Sequence, residues 1–143
     1  MKKTMIMKNI YLPIVMVLIA STVFAQKTEK KEIKSLMKDL GYSWSETRSV
    51  KLMEGQSEYY WRSFFSGNEY AVLAFSEDDN VHDIDIYLYN EEGSLIYQSK
   101  ASENFDIIEF SPDMAGQVKV VIKNYDSLMT DEEYKCKFMM FYK

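Results

Sequence analysis

From Ser49 to Tyr142 apolar residues recur at every second position, in short runs separated by clusters of Gly, Asn, Asp, Ser and Glu. A period of two is the mark of a strand with one buried face, and the clusters are turn chemistry. The pattern predicts strands near 49–53, 57–65, 70–75, 83–89, 94–99, 106–110, 117–123 and 134–142, with "NEEG" as the clearest hairpin turn. Before them the period changes. In "TEKKEIKSLMKDLG" Ile33, Leu36, Met37 and Leu40 fall at i, i+3, i+4 and i+7, one apolar stripe of a helix. Thr28 is placed to cap its start and Gly41 to close its end. The expected fold is all-β, a jelly-roll-like antiparallel β-sandwich of about eight strands with one N-terminal α-helix, and "YSWSETR" serves as the connector.

The alternation also assigns faces. In "DIDIYLY" Ile84, Ile86 and Leu88 point to the core, which places Asp83, Asp85, Tyr87 and Tyr89 outside, where charge costs little. "VKVVIK" repeats the logic, with Val118, Val120 and Ile122 inward. In "YKCKFMMFY" the lone Cys136 shares a face with Tyr134, Phe138 and Met140, so it is expected to be a buried packing residue, and no internal disulfide can form. The helix stripe either covers an open side of this domain or is offered to a partner.

The first residues change which chain needs explaining. Lys2, Lys3 and Lys8 precede the uncharged run "IYLPIVMVLIA", which ends at "STVFAQ", the pattern of a secretory signal peptide cleaved after Ala25. Pro13 and the short run argue against a stable membrane-spanning helix. The expected organisation is a signal peptide over 1–25, a helix and connector over 26–48, and a sandwich over 49–143, in a periplasmic or secreted protein. Loss of three lysines leaves 14 basic against 22 acidic residues, a net charge of −8 in place of −5. So acidic a domain repels phosphate backbones and is not expected to bind nucleic acid.

Candidate chemistry is sparse. Glu77, Asp78, Asp79, Asn80, Asp83 and Asp85 supply oxygens within one loop and strand start, so Asp79, Asp83 and Asp85 are candidate calcium ligands, although the spacing is not that of an EF-hand. With one histidine, His82, expected in an exposed loop, and one core-facing cysteine, no zinc set is credible. No nucleophile elbow is present, and Asp83 and Asp85 on one strand face would not flank a sugar ring, so the chain is not expected to be an enzyme. Aromatics are the surplus. Tyr87, Tyr89, Trp44 and Trp61 are the candidate ligand-binding residues, with Tyr59 and Tyr60 nearby, because flat rings stack on sugars or anchor protein interfaces.

Taken in order, a glycine turn before an aromatic strand (Gly55), a second before a hydrophobic strand (Gly67), an Asp-x-Asp strand leading to a hairpin (Asp83, Asp85, Gly93) and a turn before a valine-rich strand (Gly116) form a pattern over residues 50–142. It resembles the bacterial pre-peptidase C-terminal domain family. The resemblance implies a jelly-roll-like sandwich, usually appended to secreted bacterial enzymes and without catalysis of its own, with relatives that bind matrix proteins, polysaccharides or calcium. The chain departs from that pattern in lacking an attached enzyme and in carrying the helix and the long "NYDSLMTDEE" loop. The expected function is an exported, non-catalytic module that recognises a protein or glycan, with calcium as a candidate stabiliser. The alternatives are a small subunit docking on a larger exported enzyme and, third, a small hydrolase.

Overall fold

The fold was obtained as a computed structural model, which describes residues 7–8, 30–99 and 103–143. The elements are β1 (Met7–Lys8), α1 (Lys30–Asp39), β2 (Ser43–Leu52), β3 (Ser57–Phe64), β4 (Tyr70–Ser76), β5 (Val81–Tyr89), β6 (Leu95–Gln98), β7 (Phe105–Pro112), β8 (Gly116–Ser127) and β9 (Tyr134–Tyr142). One sheet has the order β1-β7-β4-β9-β2 and the other β3-β8-β5-β6. Every pairing is antiparallel. This is a jelly-roll-like sandwich with one N-terminal helix. Apart from Met7 and Lys8, the signal peptide expected over 1–25 lies outside the described residues, as do Thr28 and Glu29. No helix among the described residues is long and apolar enough to cross a membrane.

Two apolar layers stabilise the structure. Between the sheets, Ile84, Ile86 and Leu88 of β5 and Val118, Val120 and Ile122 of β8 meet Val72, Ile108, Cys136 and Phe138 of the first sheet. Cys136 is buried there, and burial pushes its thiol up to about 12, so it packs as an unreactive apolar group. Phe64, Tyr70 and Phe110 close one end of this layer with ring centroids 4.7–5.7 Å apart.

The second layer lies outside the first sheet, where Ala71, Leu73 and Phe75 of β4, Phe105 and Ile107 of β7, and Met139 and Phe141 of β9 form an apolar outer surface bordered by Glu109 and Lys137. Ile33 and Met37 of α1 are buried on it, with Leu36 and Leu40 alongside. The helix therefore docks on its own sandwich. Its last turn is anchored by paired bonds, Gly41 N–H to the Lys38 carbonyl and Tyr42 N–H to the Met37 carbonyl, both 2.9 Å. That closure needs a left-handed residue at Gly41, whose φ is +87°. Tyr42 then donates to Glu109 Oε1 at 2.9 Å, and the backbone N–H of Lys30 donates to Glu77.

One expectation fails at the entry to the sandwich. The connector 43–48 is strand, because β2 starts at Ser43 and pairs with β9 from Tyr142 back to Tyr134. Period-two alternation is weak there because β2 is an edge strand with most side chains in solvent. Its Glu46 accepts from the Arg62 guanidinium of β3, Nη2 lying 2.7 Å from Oε2, and so ties the edges of the two sheets together. Partial burial would raise the Glu46 carboxyl, but the bonds from Arg62 and from Arg48, whose Nε lies 3.2 Å from Oε2, hold it below the usual carboxylate range.

Met37 is fully enclosed under the first sheet. Met37→Ala is expected to lower stability by about 2–5 kcal/mol, read as a reduced urea midpoint with an unchanged slope.

Candidate functional site

The outer face of the second sheet carries the odd-numbered residues of β3, β8 and β5, with Gln98 and Leu95 of β6 at its edge. In register, Tyr59 lies opposite Val121, which lies opposite Tyr87; Trp61 lies opposite Lys119, which lies opposite Tyr89; and Ser57 lies opposite Lys123, which lies opposite Asp85. Directly opposed residues in antiparallel strands share a face, so these three rows form one surface. Rings flank both sides of β8. Tyr59 is 56% and Trp61 43% exposed, whereas Tyr87 and Tyr89 are half-buried.

Spacing follows from sheet geometry. Rings two residues apart on a strand sit about 7 Å apart, and rings on β3 and β5 are two strand intervals apart, about 9.6 Å. Tyr87 and Tyr89 stack with centroids 6.5 Å apart and planes inclined by 23°. Lys119 Nζ lies 5.6 Å from the Tyr59 ring and 5.2 Å from the Tyr89 ring, and Lys123 Nζ lies 5.1 Å from the Tyr125 ring. Tyr87 donates its hydroxyl to Asp85 Oδ2 at 3.0 Å, and burial with that bond pushes the phenol up to about 12. Its ring is therefore held in place and neutral.

Of the four aromatic residues expected at a site, Trp61, Tyr87 and Tyr89 are brought together on this face. Trp44 is not. It lies on β2 at the edge of the first sheet, opposite Phe141 on the helix-covered face, where Nε1 donates to Thr47 Oγ1 at 3.0 Å and Lys34 Nζ sits 3.4 Å over its ring. Tyr60 turns inward and stacks on Phe138 at 5.4 Å. Lys119, Lys123 and Tyr125 belong to the face although they were not singled out as site residues. Their alternation with Val118, Val120 and Ile122 was the available signal.

The candidate calcium ligands do not converge. Asp79 lines an open depression with Glu77, Asp78, Asn80 and Lys135, while Asp83 and Asp85 lie on β5. Among the described residues no group of three or more His, Cys, Asp or Glu side chains is arranged to hold a metal ion. His82 is not in a loop. It is an exposed residue of β5, with Nδ1 3.3 Å from Asp126 Oδ2.

The expectation that Asp83 and Asp85 carry their charge freely in water is also corrected. Asp85 is only 7% exposed, and Asp83 Oδ1 is buried without a hydrogen-bond partner. The cause is tertiary: Ser99 and Glu103 lie against β5, with Ser99 N–H bonded to the Ile86 carbonyl and Ile84 N–H to the Glu103 carbonyl. Burial, and then the neighbouring Asp85, pushes the Asp83 carboxyl up. Asp106 of β7, 1% exposed, lies at the same end. Its Oδ1 accepts from the Ser99 hydroxyl and from Ile107 N–H, while Oδ2 has no partner.

No family model matches this sequence, and no curated protein matches it. What the chain can bind must therefore be argued from the face itself.

Burial pushes the Asp106 carboxyl from 3.8 up to about 7. A raised carboxyl favours the protonated native state, so this residue stabilises the fold below its unfolded value and loses that contribution as pH rises toward 7. Asp106→Asn keeps an acceptor for Ser99 and carries no charge. The variant is expected to be more stable than the parent at pH 8, by a few kcal/mol, and to converge with it by pH 4 in urea titrations.

Proposed function

We propose that this protein is an exported, non-catalytic β-sandwich module that binds an extended glycan across the Tyr59, Trp61, Tyr87 and Tyr89 face. The observation that carries the reading is the two-by-two arrangement of rings on either side of β8. The negative π-faces of such rings attract the weakly positive C–H bonds of a pyranose. The tyrosine hydroxyls and lysine ammoniums beside them offer hydrogen bonds to sugar hydroxyls. A sheet face open along its strands accommodates the middle of a chain, and ring pairs about 9.6 Å apart are close to the disaccharide repeat of an extended β-linked polymer.

A protein partner fits less well. The centres of protein interfaces are depleted in lysine, and here Lys119 stands between Trp61 and Tyr89. The subunit reading also loses its best surface, because the α1 stripe is used on the chain's own first sheet; exposed Leu128 and Met129 in the β8–β9 loop are what remains for it. Export rests on the leader pattern of residues 1–25. A kinship with the pre-peptidase C-terminal domains rests on the order of glycine turns and strands read in the sequence; the fold shared with them is the jelly-roll-like sandwich. The non-catalytic reading rests on the sequence, which carries no nucleophile elbow.

The test is binding of the purified protein to a panel of soluble polysaccharides. Trp61→Ala and Tyr89→Ala are each expected to weaken binding roughly fivefold, about 1 kcal/mol, with unfolding midpoints near the parent's. Trp44→Ala is expected to leave affinity unchanged. Equal loss on Trp44→Ala and Trp61→Ala would show that this face is not the binding surface.

A further inference from the structure

The charges on this face identify the class of glycan, an inference that rests on the glycan-binding reading. The acids of the second sheet's outer face, Asp83 and Asp85, sit at one end together with Asp126, and Asp85 is withdrawn from water and accepts from the Tyr87 hydroxyl. The ring-bearing part carries two lysines. Two other lysines that lie against aromatic rings have carboxylate partners, Lys137 Nζ being 2.6 Å from Glu77 and Lys143 Nζ 2.9 Å from Glu69, whereas Lys34 over Trp44 has none among the described residues. Among the described residues neither Lys119 nor Lys123 takes part in an ion pair.

The chain carries 22 acidic residues against 17 basic ones, so it repels polyanions at long range, and any attraction for an anion is local, acting within a screening length of about 8–10 Å. Acids are abundant, yet the strand neighbours of Lys119 are the rings of Trp61 and Tyr89. Ring faces hold an ammonium in place without neutralising it. Lys123 faces Asp85 in the register, so its charge is the more compensated of the two. Lys119 is left as a fixed positive charge at the level of the stacking rings.

We propose that the bound glycan is an acidic polysaccharide whose anionic substituents are met by Lys119, with Lys123 about 14 Å further along β8 serving a second substituent on the same chain. The rings hold sugar faces and the ammoniums hold the anions between them. Beyond the Lys123 row, Asp83 and Asp126 repel the same polymer and so limit its footprint at that end. Carboxylated and sulfated sugars share this chemistry, and the experiment separates them.

The test compares polygalacturonate with its fully methyl-esterified form, and dextran sulfate with dextran, using the purified protein. The expected result is binding to one anionic member at least tenfold tighter than to its neutral counterpart, falling as added salt shortens the screening length. Lys119→Gln is expected to weaken that binding about three- to fivefold, Lys119→Arg to preserve it, and Lys119→Gln/Lys123→Gln to remove most of the preference. Preference for polygalacturonate assigns a uronate and preference for dextran sulfate a sulfate ester. Equal affinity within each pair, absence of binding to all four polymers, or insensitivity to Lys119→Gln overturns the inference. If Trp61→Ala still weakens binding to neutral glycans in that event, the aromatic platform stands and only its charge preference falls. If Trp61→Ala changes nothing on any polymer, both readings fall.

Discussion

A sheet whose central strands are apolar on both faces cannot leave either face in water. That is the condition of the first sheet: every residue of β4 is buried, and β9 is buried from Cys136 to Phe141. One face is covered by the second sheet and the other by α1. By itself the ten-residue helix α1 is too short to be stable in water, so sheet and helix each require the other. The exposed charges of β2 are consistent with this arrangement, since edge strands are commonly protected from further pairing by charged side chains.

The consequence reaches the opposite side of the molecule. With the helix committed to the first sheet, the broad surface left open is the outer face of the second sheet, where strict alternation keeps aliphatic residues inside and places rings and lysines outside. The Glu46–Arg62 pair joins β2 to β3 and so connects the helix-covered sheet to the edge of this face. Below it Arg62 also lies over the rings of Tyr60 and Phe138, 5.3 and 6.0 Å from their centroids. The rings of the face thus stand on a strand that is held from behind by a charge and by core aromatics, a rigid support for groups whose spacing matters.

At the other end of the same face, carboxylates and aromatic rings show how one alternation pattern yields two environments. Asp85 and Tyr87 are adjacent outward positions of β5. The first is sealed at the end of the sandwich where Ser99 and Glu103 run beside it, and the second is left half-open with its hydroxyl fixed on the first. The acidic stretch that resembled a metal loop in sequence is divided between a turn, at Asp78 and Asp79, and a strand, at Asp83 and Asp85.

The period of two and the helical stripe are properties of local backbone geometry, which is why the strands, the helix, the buried Cys136 and the outward set Tyr87, Tyr89 and Lys119 could be read from the chain alone. The runs "YAVLAF" and "KFMMFY" even carried the mark of strands covered on both faces, since they lack polar alternation. Strand order and the placement of Ser99 and Glu103 against β5 are not local. They decided that 43–48 is an edge strand, that Trp44 belongs to the opposite side from Trp61, and that Asp85 is shielded. Pairing depends on which apolar surfaces fit together between strands far apart in the chain, and no window of sequence contains that information. Residue type and alternation fixed the chemistry available to each face, while packing chose which of those faces meets water.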